Sequence, residues 1–147
     1  MSQTNTSSET APRSSPTRTV LRIVLALLYL FAGYAHLANP QTFLKITPNW
    51  VPMPETIIFW TGIAELAGAA ALAQPSNLRL RQAAGIGLAL YALCVWPANI
   101  NHMIMDMAAP DHGWGLAYHL PRMALQPVLI WLALWTGGVI DWPRRKR

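Results

Sequence analysis

Four long stretches of the chain are mainly apolar. They run from about Val20 to Leu37, Thr56 to Ala73, Ala83 to Ile104 and Leu120 to Ile140. The third is apolar as far as Ile100 and turns polar at its end. Within each, apolar side chains surround the helix axis and form no narrow stripe, as in helices that face lipid. A bilayer core takes about 20 mainly apolar residues per helix, because every backbone polar group must be satisfied inside the segment. The pattern predicts an all-α fold, a polytopic membrane four-helix bundle over residues 20–140. Asn39-Pro40 has the form of an N-cap followed by proline at the first helical position, which predicts a short interfacial helix through about Ile46 in the first outer loop. Pro48, Pro52 and Pro54 then forbid a long helix before Glu55. The second outer loop, Met105 to His119, carries Asp106, Asp111, His112 and the flexible Gly113-Trp114-Gly115. No internal repeat is present.

The flanks set an orientation. Arg13, Arg18 and Arg22 lie at the start of the first stretch, Arg79 and Arg81 between the second and third, and Arg144, Arg145, Lys146 and Arg147 after the fourth. Of eleven basic residues, only Lys45 and Arg122 fall on the other side. The positive-inside rule then places both termini in the cytoplasm. Residues 1–19 are rich in Ser and Thr and read as a disordered cytoplasmic tail, and residues 141–147 as a basic cytoplasmic tail. The first apolar stretch exceeds the usual signal-peptide core and no clean small-residue cleavage site follows it, so an uncleaved signal anchor is expected.

Composition agrees. Hydrophobic residues make up 53% and charged residues 12% of the 147, too apolar for a disordered chain and too poorly charged for an ordinary soluble domain. A pI near 10 here reflects topological anchors, so no nucleic-acid partner is expected. The single cysteine, Cys94, excludes a disulfide scaffold and a CxxC pair within one chain.

Ionisable groups at membrane depth carry the candidate chemistry. Glu65 lies about ten residues into the second stretch, ~15 Å at 1.5 Å per residue, near the midplane. Its helical neighbours Thr61, Gly62, Gly68 and Ala69 are small enough to admit another helix. A lone carboxylate there must be protonated or find a donor. Donors stand at comparable depth: His119, Arg122 and Gln126 on one face of the fourth stretch, Asn99 and His102 on the third, His36 at the end of the first. Trp60 and Trp96 are the two tryptophans placed to line a pocket. Pro97 and Pro127 each free a carbonyl one turn earlier. Together these predict a polar cavity in the outer half of the bundle. The residues leave open whether Glu65 pairs with Arg122 or His102 to fix packing, or handles a ligand or a proton. Arg122 pairs with Glu65 or Asp106, or extends to the headgroups. No metal site is expected, since no HxxxH or HxH spacing is present.

The segments FAGYAHLANPQTF, PNWVPMPETIIFWTGIAELAGAAALA, NLRLRQAAGIGLAL with VWPANINHM, and HLPRMALQPVLIWLALW resemble the DoxX-like family of small four-helix integral membrane proteins, over roughly residues 20–138. The most specific pieces are Gly62-x-x-Glu65-Leu66, Pro97-Ala98-Asn99, and Arg122 with Gln126-Pro127. The resemblance implies a multi-pass protein of the bacterial cytoplasmic (inner) membrane. It also implies a place among small subunits of thiosulfate:quinone oxidoreductases and partners of oxidant-defence proteins. No catalytic residue carries over, because one fold hosts several jobs. Three functions are expected on these grounds. The first is a non-catalytic accessory or assembly subunit of a membrane redox system, working with other membrane or periplasmic redox proteins and with no cofactor of its own evident in the sequence. The second is a quinone- or lipid-binding redox subunit. The third is a proton-coupled small-molecule exporter, which would call for a homo-oligomer.

Overall fold

A computed structural model describes residues 15–142. The chain is all-helical, with no strand among the described residues. In chain order the helices are α1 (Pro16–Ala38), α2 (Pro40–Leu44), α3 (Pro54–Ala73), α4 (Leu78–Ala108) and α5 (Gly115–Gly137). Three of them, α1, α3 and α4, are long and apolar enough to cross a membrane. The sequence predicts four such spans. α5 has the length, 23 residues, but His119, Arg122, Gln126 and two prolines dilute its apolar character.

α1 packs along α3, α4 packs along α5, and contacts of α3 with α4 and of α1 with α5 join the two pairs. Glycines set both pairings. A Cβ on Gly85 of α4 would stand 2.6 Å from the Ala133 carbonyl oxygen of α5, and one on Gly33 of α1 would stand 2.8 Å from that of Gly62 on α3. These backbones approach as closely as they do because no side chain separates them. The small-residue face around Glu65 admits two helices: Gly62 lies against α1, and Gly68 lies against Leu88 of α4. The core is built of Leu25, Ala26, Tyr29, Ala69, Leu72, Ala84, Leu88, Ala89 and Ala133. Outside it, Leu27, Phe31, Leu90, Leu93 and Leu120 are exposed, an apolar exterior of the kind lipid covers.

The helix boundaries differ from the sequence expectation in instructive ways. α1 begins at Pro16, so residues 16–19 of the expected tail are helical; proline at the first position is pre-organised for it. Residues 1–14 and 143–147, the rest of the two expected tails, lie outside the described residues. The interfacial helix ends at Leu44, and Asn39 makes no side-chain cap; its backbone N–H instead closes α1 on Ala35. α4 is longer at both ends than the third apolar stretch. Asn77 caps its start by accepting from the Leu80 N–H at 3.1 Å, and the helix continues through Pro97 to Ala108. The loop before α5 therefore shrinks to residues 109–114.

At the end of the molecule that carries both described termini, Arg18 closes α1 onto the end of α5. Its Nε donates to the Trp135 carbonyl at 2.7 Å, Nη2 to Ile140 at 3.1 Å and Nη1 to Asp141 at 3.0 Å. The guanidinium also lies over the Trp135 ring. Cations at a helix C-terminus are favoured by its unpaired carbonyls. Arg18→Met should lower stability in detergent by about 2 kcal/mol, the scale of hydrogen bonds to a charged group. Thermal unfolding of the purified chain measures it, and an unchanged midpoint would show the clasp to be idle.

Candidate functional site

The C-terminal half of α1, the N-terminal halves of α3 and α5, and the middle of α4 diverge around a cavity of about 620 Å³. The segment after α2 closes one end with Ile46, Pro48, Trp50 and Val51. Asn101 of α4 holds that segment, donating to the Ile46 carbonyl at 3.0 Å. Phe43 of α2 rests edge-on against His36, ring centroids 3.8 Å apart. The walls are mainly apolar: Leu25, Tyr29, Ile58, Ala92, Val95 and Leu129. Exposed Leu28, Phe31 and Leu125 stand at its rim, so the space communicates with the apolar exterior.

Five of the polar residues singled out in the sequence line this one cavity: His36, Glu65, Asn99, Arg122 and Gln126. The helices place them there by spacing. On α1 the buried positions Arg22, Leu25, Ala26, Tyr29, Gly33 and His36 form one inward stripe. On α3, Ile58, Gly62, Glu65, Ala69 and Leu72 do the same. Glu65 is only 3% exposed. Its partners are neither Arg122 nor His102. The Tyr91 side chain of α4 is hydrogen-bonded to it. His36 Nδ1 stands 3.5 Å from Glu65 Oε2 and 3.1 Å from the Thr61 hydroxyl. That hydroxyl donates its one proton to the Ile58 carbonyl at 2.8 Å, so towards His36 it accepts, and the histidine proton sits on Nδ1. Even so, Glu65 Oε2 has no hydrogen-bond partner, and neither does Gln126 Oε1. Buried polar atoms are paired in the great majority of cases, so two orphans facing one cavity stand out.

Trp60 and Trp96 do not line it. Trp60 is 61% exposed on the outer face of α3. The aromatic walls come instead from Tyr29, Tyr91, Phe31, Phe43 and Trp50. Tyr91 is the residue that sequence reasoning misses. It is an ordinary apolar-span tyrosine in sequence, and only the α3–α4 contact gives it a carboxylate.

His102 and His119 belong to a second cluster beside the cavity, linked to it by Arg122. Arg122 Nη1 donates to His102 Nδ1 at 2.8 Å. A guanidinium can only donate, so this nitrogen is bare, and the proton of the neutral ring lies on Nε2, facing Asp106 Oδ1 at 3.6 Å. Asp106 Oδ2 accepts from His119 Nε2 at 2.9 Å and from the Trp114 backbone N–H at 3.0 Å. His102, Asp106 and His119 bring their ligand-type atoms within 4.8 Å of one another. The sequence hides this set, because one member comes from α5 and the other two form a His-x-x-x-Asp pair. Binding a cation through His102 Nε2 would move that ring's proton to Nδ1, against Arg122, which has no lone pair to receive it. His119 Nδ1 is likewise buried with no acceptor for the proton a ligating ring would carry there. The donor set fits a hydrogen-bonded chain, Arg122–His102–Asp106–His119, better than a metal centre. Asp106→Asn should lower the thermal midpoint, because Asp106 joins the start of α5 to the end of α4. Asp111→Asn, in the exposed loop, should not. Equal midpoints would remove that role.

Comparison with curated proteins and with solved structures gives no match. Residues 25–137, which span the cavity and the cluster beside it, match a family described as "Domain of unknown function (DUF8561)", and the chain belongs to that family.

Proposed function

We propose that the chain is a four-span membrane protein whose cavity binds a lipid-phase molecule with a hydrogen-bonding head, a quinol in the first instance. In this reading α5 is the fourth span. Its polar residues face the cavity and the Asp106 cluster, while its apolar residues face lipid. Both termini lie in the cytoplasm, by the excess of arginine at their end, and the membrane is a bacterial inner membrane. The chain serves as a non-catalytic accessory or assembly subunit of a membrane redox system, the role that the DoxX-like resemblance also suggests.

One observation carries the ligand reading. Glu65 Oε2, which has only the 3.5 Å contact with His36, and Gln126 Oε1 are buried acceptors without a hydrogen-bond partner, on residues lining the same mainly apolar space. A molecule that satisfies them must bring hydroxyl or amine donors and an apolar body. A quinol has both. Its ring suits the walls of Tyr29, Tyr91 and Phe43, and a hydroxyl suits Glu65, which is then the group placed to receive a proton. Arg122 and Asn99 supply donors for a carbonyl when the ring is oxidised. The Arg122–His102–Asp106–His119 chain runs from this cavity toward the loop before α5 and holds the Arg122 guanidinium at the cavity. Entry is sideways past Leu28, Phe31 and Leu125.

Purification from native membranes in mild detergent, followed by solvent extraction, tests the reading. Quinone near one per chain is expected. Background quinone with a hydroxyl-bearing lipid in its place would keep the cavity and overturn the redox assignment. Extracts with neither would overturn both.

A further inference from the structure

The other end of the molecule holds a second unexplained charge. Arg22 lies on the inward stripe of α1 and is 6% exposed, yet its Nε has no hydrogen-bond partner. The charged groups that act on it are Arg81 of α4 and Arg18, both cations. Arg81 Nε is buried and unpartnered in the same way, its Nη1 reaching only the Pro75 carbonyl at 3.5 Å. The one carboxylate at this end among the described residues, Asp141, is taken by Arg18 and is itself 85% exposed. Glu65 belongs to the other half, with His36 and Tyr91 as its partners. A buried guanidinium without a counter-charge is strongly disfavoured, and arginine cannot escape by losing its proton.

We propose that Arg22 of α1 and Arg81 of α4 together form a binding site for a phosphate-type oxyanion. Two guanidiniums from different helices, each with a free Nε–H, match an anion that has three or more oxygens to share between them. A carboxylate, with two, is the poorer fit. Arg22 is six residues into α1, ~9 Å along the helix at 1.5 Å per residue. That is the level of lipid phosphates for a helix that starts at the membrane surface. The same chemistry is offered by an anionic lipid headgroup and by free phosphate, and the cavity at the opposite end plays no part in it.

The test uses the full chain in neutral detergent. Native mass spectrometry compares retention of dioleoyl phosphatidylglycerol with that of dioleoyl phosphatidylcholine, and thermal unfolding is followed with and without inorganic phosphate. The wild type should retain the phosphatidylglycerol about tenfold better, the scale of one charge-assisted hydrogen bond. Arg22→Gln and Arg81→Gln should each bring the two lipids to within about twofold. Arg79→Gln, at an exposed arginine of the same helix end, should leave the preference intact. A rise in midpoint with phosphate alone, lost in the same two variants, assigns the site to a soluble anion. Should Arg22→Gln fail to fold, Arg81→Gln decides. Equal retention of both lipids with no phosphate effect overturns the site. So does an Arg79→Gln loss as large as that of Arg81→Gln, which would mark a diffuse basic surface.

Discussion

Gly85→Val is expected to separate α4 from α5 and cost about 3 kcal/mol, the upper end of overpacking penalties. A Cβ at this position would stand 2.6 Å from the Ala133 carbonyl oxygen and 3.1 Å from the Gly137 Cα. Both obstacles are backbone, so no rotamer change relieves them. The loss matters more in lipid than in water. Acyl chains are as apolar as the side chains they replace, and close packing is what holds spans together. Gly87→Val makes the control, since nothing lies within 4 Å of a Cβ there. It sits two residues away on the same helix, so propensity effects are shared and only the contact differs. Unfolding in mild detergent should give a large drop for Gly85→Val and little change for Gly87→Val. Similar midpoints for the two would show that α4 and α5 do not depend on this contact.

The long helices were legible because apolar length is a strong signal, and the end of each stretch near a proline or a basic residue fixed it within a few positions. α5 shows the limit of that signal. Residues 119–127 carry the polar groups of the cavity and cluster, and those groups lower its apolar character. The gathering of His36, Glu65, Asn99, Arg122 and Gln126 followed from depth and helical spacing alone. Pairing did not. Depth ranks residues along the helix axis, whereas a partner is chosen by which helix is adjacent and how it is rotated. Glu65 meets α1 and Tyr91 of α4 because Gly62 and Gly68 draw those helices in, and Arg122 turns to His102 instead. Trp60 and Trp96 illustrate the same point: their depth suits a pocket, but their rotation takes them away from it.

Glu65→Gln should reduce the amount of ligand that copurifies by about tenfold or more, with little effect on folding. A hydrogen bond to a charged partner contributes ~1.5–3 kcal/mol, and each 1.4 kcal/mol is a factor of ten in binding. The substitution preserves shape and keeps one oxygen for Tyr91. At the unpartnered position it places an amide NH2 where Oε2 stood, 3.5 Å from the His36 Nδ1 that already carries a proton. Two donors then face each other, and a ligand hydroxyl has no acceptor left. Stability should change little, because one buried unpaired group, the oxygen, gives way to another, the amide NH2. Tyr91→Phe separates the alternatives. It deletes the donor to Glu65 and leaves Oε2 in place, so ligand should be retained while the thermal midpoint falls. The measurement is extracted ligand per chain, beside the unfolding midpoint, for wild type and both variants. If Glu65→Gln keeps its full ligand load and loses stability instead, the carboxylate serves packing between α1, α3 and α4, and the cavity binds its occupant by its apolar walls alone.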